Sequence, residues 1–162
     1  MDRAVAELVM RADIVATIER LKVELRASAE PFVWATIDVG NVPDIPDEIQ
    51  SAWIFALRAG RWSGAHYHPN SVQHMAVIEG RGRSRIGGRI GEMVAFGGGA
   101  SGERWFVIEP GVPHEFFPVE GDMIVMSFHT AAARELLEVS ESGSVTRRYE
   151  GEVTSRSVKA LR

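Results

Sequence analysis

The sequence predicts an all-β fold, one antiparallel barrel or sandwich, with a long helix before it and a short helix after it. Two observations carry this. From Ser51 to His129 the chain runs through short apolar or alternating stretches, "AWIFALRAG", "VQHMAVIEG", "RSRIGG", "EMVAFGGG", "RWFVIEPG", "HEFFPVEG" and "DMIVMSFH", each closed by glycine, proline or the next turn. Many short strands at close spacing are the pattern of an antiparallel sheet folded on itself. Apolar residues at three- and four-residue intervals, the helical period, are confined to the two flanks.

Taken in order, Asp2 to about Arg26 carries Val5, Leu8, Val9, Ala12, Val15, Ile18, Leu21 and Leu25 on one stripe, which predicts a single amphipathic helix. Such a helix can cover the end of the barrel or pair with a partner chain. "NVPDIPDEIQ", Asn41 to Gln50, holds two prolines and several acids and predicts an irregular connection. The barrel core is expected over 51–130. "AAARELLE" predicts a short helix from Ala131 to Glu138, and the polar tail to Arg162 a strand around "SVTRRYEG". The organisation is thus 1–50 helix and connection, 51–130 core, and 131–162 short helix and tail, in one domain. A chain of 162 residues buries roughly two thirds of its unfolded surface without a covalent staple.

Composition excludes several classes. With no cysteine there is neither a disulfide framework nor a thiolate zinc site, so a metal must be held by nitrogen and oxygen. The net charge of -4 is spread in mixed sign, against a nucleic-acid surface. No apolar run approaches the roughly 20 residues of a membrane span, and "MDRAVAELVMRADIVATIERLK" is charged throughout, unlike a secretion signal. A soluble, cytoplasmic protein is expected. The basic run "RGRSR", Arg81 to Arg85, alternates arginine with small residues, so Arg83 and Arg85 should turn away from the apolar face. "GGGASG" contains Gly-x-Gly-x-x-Gly at Gly97, Gly99 and Gly102, but the next residues are "ERWFVIEPG". That is a strand, where a dinucleotide loop must open a helix, so a hairpin connection is expected. Ser63, Ser71 and Ser127 lie near histidines without the strand-turn-helix setting of a nucleophile elbow.

Three of the five histidines fall in "GAHYHPNSVQHMAVIEG". Residues two apart in a strand face one way, so His66 and His68 project together and can chelate a divalent ion, while Tyr67 points away. Gln73 opens the next strand after the turn "PNS" with a carbonyl oxygen to offer. His74 points to the opposite face and serves only if a bulge reverses parity. His114 comes after a tight entry set by Pro110, Gly111 and Pro113. Met75 and Phe116 share parity with these residues and should line a pocket for a small, partly apolar molecule. His129 ends the last apolar strand, as a satisfied strand-end histidine or as a pocket acid or base. Glu115 is the other acid-base candidate, although next to His114 it should face outward.

These residues resemble the two motifs of the cupin family. The first, with His-x-His, an acidic or amide residue and a closing glycine, is matched by His66, His68, Gln73 and Gly80; the second, centred on Pro-x-Gly-x-x-His, by Gly111 and His114. The match spans Trp53 to His129. Gln73 stands where Glu is usual, Glu109 where proline is usual, Pro118 where Asn is usual, and the upstream glycine is out of register. The resemblance implies a jelly-roll barrel holding one divalent ion, iron, nickel, manganese or zinc, on His66, His68, Gln73 and His114. It also implies a homodimer, with His74 or the outward arginine row as candidate interface residues.

An amide at position 73 leaves the ion one unit more positive than a carboxylate would, which suits Lewis-acid work on an oxygenated substrate. The expectation is a metal-dependent oxygenase, isomerase or lyase acting on a small organic molecule. The alternative is a non-catalytic cupin that binds a ligand or metal and reports it through the N-terminal helix.

Overall fold

The computed structural model describes residues 1–96 and 104–148. Two antiparallel sheets face each other as a jelly-roll sandwich. One has five strands in the order β1 (Phe32–Ile37), β2 (Ser51–Leu57), β9 (Met123–His129), β4 (Gln73–Glu79), β7 (Trp105–Ile108). The other has six: β11 (Val145–Arg148), β10 (Leu137–Ser140), β3 (His66–Tyr67), β8 (His114–Pro118), β5 (Arg81–Ile86), β6 (Arg89–Val94). The glycine run Gly97 to Gly102 lies outside the described residues; the chain beyond it, from Trp105, is strand and not helix.

The stripe predicted as one N-terminal helix forms two, α1 (Asp2–Leu8) and α2 (Ala12–Ala27), with Arg11 in extended backbone between them. The corner is held by an Arg11–Asp13 ion pair and by Arg11 Nη1 donating to the Asn41 carbonyl. The break resets the helical phase. Ala4, Val5 and Leu8 are buried on α1, but on α2 it is Ile14, Ile18, Leu21 and Leu25, leaving the expected Val15 46% exposed. These helices do not cover the barrel end. They lie on the outer face of the five-stranded sheet, against Val33, Ala35, Ile37, Ala52, Ile54, Ala56, Ala76, Ile124, Met126 and Phe128. Arg58, just after β2, clamps α2 by donating to the Leu25 and Ser28 carbonyls at its C-terminus.

That arrangement explains why β2 and β9 read as continuous apolar runs: their odd and even residues meet different cores. All seven residues of β9 are buried. Ile124, Met126 and Phe128 face the helices, whereas Met123 and Val125 join Leu57, Met75, Val77, Met93, Phe106, Ile108 and Phe116 between the sheets.

Two further expectations are revised. The segment 1–50 contributes a strand as well as helix and connection, since β1 pairs along its whole length with β2. "AAARELLE" does not form a helix. After a turn in which Glu135 and Leu136 N–H donate to the Ala132 carbonyl, Leu137–Ser140 becomes β10. The open edge of β3 explains this: Val139 and Ser140 pair with Tyr67 and His66, and tertiary hydrogen bonding outweighs the weak intrinsic preference of a short helix. The predicted C-terminal strand is β11, paired with β10.

In β5, Gly82 and Ser84 turn inward while Arg81, Arg83 and Arg85 face out, Arg83 beside Glu92 at 3.4 Å. A Cβ on Gly82 would lie 2.7 Å from the Phe117 carbonyl oxygen. Gly80 has φ +86 and equally close backbone, the Asp122 carbonyl at 2.8 Å. This gives the closing glycine of the first motif a steric reason.

Because α2 is the outer lid of the sheet that carries Gln73 and His129, its fully buried Leu21 is a stability position. Leu21→Ala is expected to cost about 2–5 kcal/mol in urea unfolding, with metal content unchanged; a loss below about 1 kcal/mol would show that the helix is not part of the core.

Candidate metal centre

The centre is built where β3, β8 and β10 meet. His66 is the register partner of His114 across antiparallel strands, and His68 comes directly after β3. Gly111, at φ +77 in the turn before β8, donates its N–H to the His68 carbonyl at 2.9 Å. The glycine of the second motif thereby pins the backbone of the first.

Each imidazole is oriented in the same way. Nδ1 of His66 lies 2.8 Å from the Gly64 carbonyl, Nδ1 of His68 2.7 Å from that of Leu137, and Nδ1 of His114 2.9 Å from that of Val112. A carbonyl only accepts, so Nδ1 carries the proton and the Nε2 lone pair is left for a metal. The three rings are in contact, with centroids 4.4 to 5.4 Å apart, and their ligating atoms lie within 4.8 Å of one another. This group can hold a metal ion.

Two buried polar atoms at the site lack any hydrogen-bond partner, His114 Nε2 and Gln73 Oε1. Both are electron-pair donors, so a divalent ion fits the site, and it would resolve the cost of two unpaired buried groups. Burial, then the neighbouring His66, lowers the His68 pKa to about 4. Burial, then His66 and His68, holds His114 well below the ordinary value. Both rings are therefore neutral, the form that ligates.

The cavity beside the histidines has a volume of about 40 Å³, room for roughly three waters. His66, His68, Gln73, Ser127, His129, Ser63 and Glu138 form its polar side; Phe32, Phe55, Leu57, Met75, Phe116 and Val125 form its apolar side. Met75 and Phe116 are thus both in the wall. Gln73 is in it too, whereas His74 pairs with Val107 and Phe128 in regular register, the one irregularity of β4 lying at Val77/Glu79. No bulge turns His74 inward. Glu115 is buried but on the other face of β8, paired with Arg85 and away from the cavity. His129 is fully buried inside the wall, with its Nε2 2.8 Å from Ser127 Oγ, its Nδ1 3.3 Å from Ser71 Oγ, and its ring 4.8 Å from that of His68.

Sequence reasoning missed Glu138. Its side chain is 9% exposed, its Oε2 lies 3.9 Å from His66 Nε2, and its Oε1 accepts from Thr146 Oγ1 at 2.9 Å. Within "ARELLEVS" it reads as one of two acids on a helix; only the pairing of β10 with β3 turns it into the cavity. Ser127, weighed in the sequence only as a nucleophile, also lines the cavity.

No protein-family model matches the chain, and no curated protein matches it. Solved structures do. A cupin-2 domain from Rhodospirillum rubrum superposes with TM-score 0.51 at 14% identity, covering 70% of this chain and 69% of its own. The 11S globulin of Wrightia tinctoria and the pro-11S globulin of pumpkin each superpose at 0.53, with 15% and 16% identity, over 70% of this chain but only 28% and 29% of theirs. The chain has the cupin fold. No helix among the described residues is long and apolar enough to cross a membrane.

The depressed histidine pKa values set a pH dependence for the metal-stripped protein. The unfolded chain takes up protons below about 6.5, but folded His68 only near 4. The unfolded state thus binds more protons in between, and stability is complete above about 6.5 and lost as pH falls toward 4. His68 alone is expected to account for a loss on the order of 3 kcal/mol. Urea unfolding at a series of pH values measures it, and a flat profile from pH 7 to 4.5 would contradict neutral, buried imidazoles.

Proposed function

We propose that the protein is a metal-dependent cupin enzyme acting on a small oxygenated organic substrate, by oxygenation, isomerisation or elimination. The observation that carries this is the grouping of three oriented imidazoles, His66, His68 and His114, two of which line a half-apolar cavity that Gln73, with its unpaired amide oxygen, also lines. His66, His68, His114 and Gln73 hold one divalent ion, iron, nickel, manganese or zinc. The ion supplies Lewis acidity toward a carboxylate, carbonyl or enolate oxygen of the substrate.

The remaining roles belong to the chain. Three histidines and an amide contribute no negative charge, so the site favours an anionic oxygen donor from the substrate. Phe32, Phe55, Leu57, Met75, Phe116 and Val125 exclude water and receive the carbon skeleton. Glu138 replaces Glu115 and His129 as acid-base candidate, because it is the carboxylate among the described lining residues and is aimed at the ligand edge of His66.

A second reading is a binding or sensor module. It is favoured by β9, whose His129 faces the cavity while adjacent Phe128 packs under α1 and α2. A ligand that moves β9 would be felt by both helices. In either reading the protein works as a cytoplasmic homodimer, for which the edge strands of the six-stranded sheet, β11 and β6, offer a surface.

Elemental analysis of the purified protein beside His66→Ala and His114→Ala tests the centre. Near-stoichiometric metal is expected in the parent and little in either variant; equal content in all three would end the metal reading. The loaded protein is then assayed against diketones, flavonols, uronates and sugar phosphates. Turnover lost in Glu138→Gln, with metal retained, supports the enzyme. If nothing turns over but ligands raise the melting temperature, and His114→Ala abolishes that rise, the sensor reading replaces it.

A further inference from the structure

A strand ladder stops at proline, which has no N–H to give, and β3 meets one two residues past its end. Its pairing with β10 sets Tyr67 opposite Val139 and His66 opposite Ser140; carried two residues further, the same register would set Pro69 opposite Leu137. The backbone of Leu137 is nevertheless paired through both of its polar groups, and the partners are side chains. His68 Nδ1 lies 2.7 Å from the Leu137 carbonyl, and the Leu137 N–H donates to Asn70 Oδ1 at 3.3 Å. The residues on the two sides of Pro69 thus replace the missing rung.

We infer that Asn70 is a positioning residue of the metal centre: its side-chain amide holds the Leu137 backbone in place, and through the Leu137 carbonyl it sets the ring of His68. The inference rests on the proposed reading of His68 as a ligand. Asn70 itself touches neither ion nor substrate. Every bond in the scheme has one possible direction, because each ends on a backbone group of fixed polarity. Asn70 Nδ2 donates to the Glu135 carbonyl at 2.6 Å while Oδ1 accepts the Leu137 N–H; a flipped amide would set oxygen against oxygen and NH2 against N–H. His68 can meet the Leu137 carbonyl only as a donor, whatever the charge of its ring.

The segment needs such a hold. Before it, the Ser71 hydroxyl accepts the N–H groups of Thr130 and Ala131 at 3.1 and 3.3 Å; after it, β10 pairs with β3 from Val139 onward. Asn70 ties down the stretch between, whose residues "AAARELLE" carry a helical pattern of their own. The main chain of His68 is held separately, by the Gly111 N–H on its carbonyl. A shift of Leu137 therefore takes away the ring's partner without moving the residue that bears the ring.

Two readouts on the metal-stripped full chain test this. The Leu137 amide, although Asn70 is exposed, is expected to exchange slowly with solvent in the parent. Asn70→Ala should speed that exchange about tenfold and leave the amides of β4 and β9 as they were. Cobalt(II) titration is expected to show about tenfold weaker binding in Asn70→Ala, with altered ligand-field bands, the scale of effect that supporting hydrogen bonds have on metal sites. Leu21→Ala is the control, since it loosens the fold beneath α2 on the opposite sheet; its cobalt affinity should stay within about twofold of the parent. A matching loss of affinity in Leu21→Ala would reduce Asn70 to a stability residue and overturn the inference. Fast Leu137 exchange in the parent, or unchanged cobalt affinity and spectrum in Asn70→Ala, would overturn it too while leaving the metal reading standing. A parent that binds no cobalt would remove that reading and this inference together, whatever the Leu137 amide does.

Discussion

Burial of the five-stranded sheet on both faces is the constraint on which the rest of the molecule depends. A strand exposed on one side can satisfy only one core; β9, buried along its whole length, must satisfy two. Its outer residues pack beneath α1 and α2, and its inner ones wall the cavity. Removing water from both sides makes every polar group on β9 and β4 accountable. Ser127, His129 and Gln73 meet that demand by bonding to one another, except at the single amide oxygen left toward the histidines.

The second sheet works differently. Its contribution is two short pairings: β3 with β8 sets His66 opposite His114, and β3 with β10 brings up the Leu137 carbonyl that orients His68. Burial, and after it the neighbouring imidazoles, disfavours a charged ring, which is why the pKa values of His68 and His114 lie below their ordinary value. The state that burial enforces is the state a metal requires. An amide at position 73 adds no charge beside the histidines where a carboxylate would, and the carboxyl group of Glu138 stands at the edge of the cavity beside His66 instead.

Much of this was legible in the sequence, and for a local reason. Period-two alternation puts His66 with His68, and Gln73 with Met75, on one face, and puts His74 and the β5 arginines on the other; no distant contact is needed to know it. Glycine and proline marked most of the turns, and the His-x-His and Gly-x-x-His spacings marked the fold. The helical stripe was equally legible as apolar residues, but not its break at Arg11, because a smooth phase can be drawn through either Val15 or Ile14. "AAARELLE" reads as helix although it is not one, because strand formation there depends on an edge about seventy residues nearer the N-terminus, which no local propensity contains.

By itself, then, the sequence determined the fold class, the strands of the core and the side on which each candidate ligand falls, since all of these depend on neighbours within a few residues. Tertiary structure decided where the helices lie, that the segment after β9 pairs as a strand, that Glu138 enters the cavity and that Ser127 meets the Gln73 amide. Each of those rests on groups brought together across the sheet or between segments far apart in sequence, and hydrogen bonding between such groups has no signature in the order of residues along the chain.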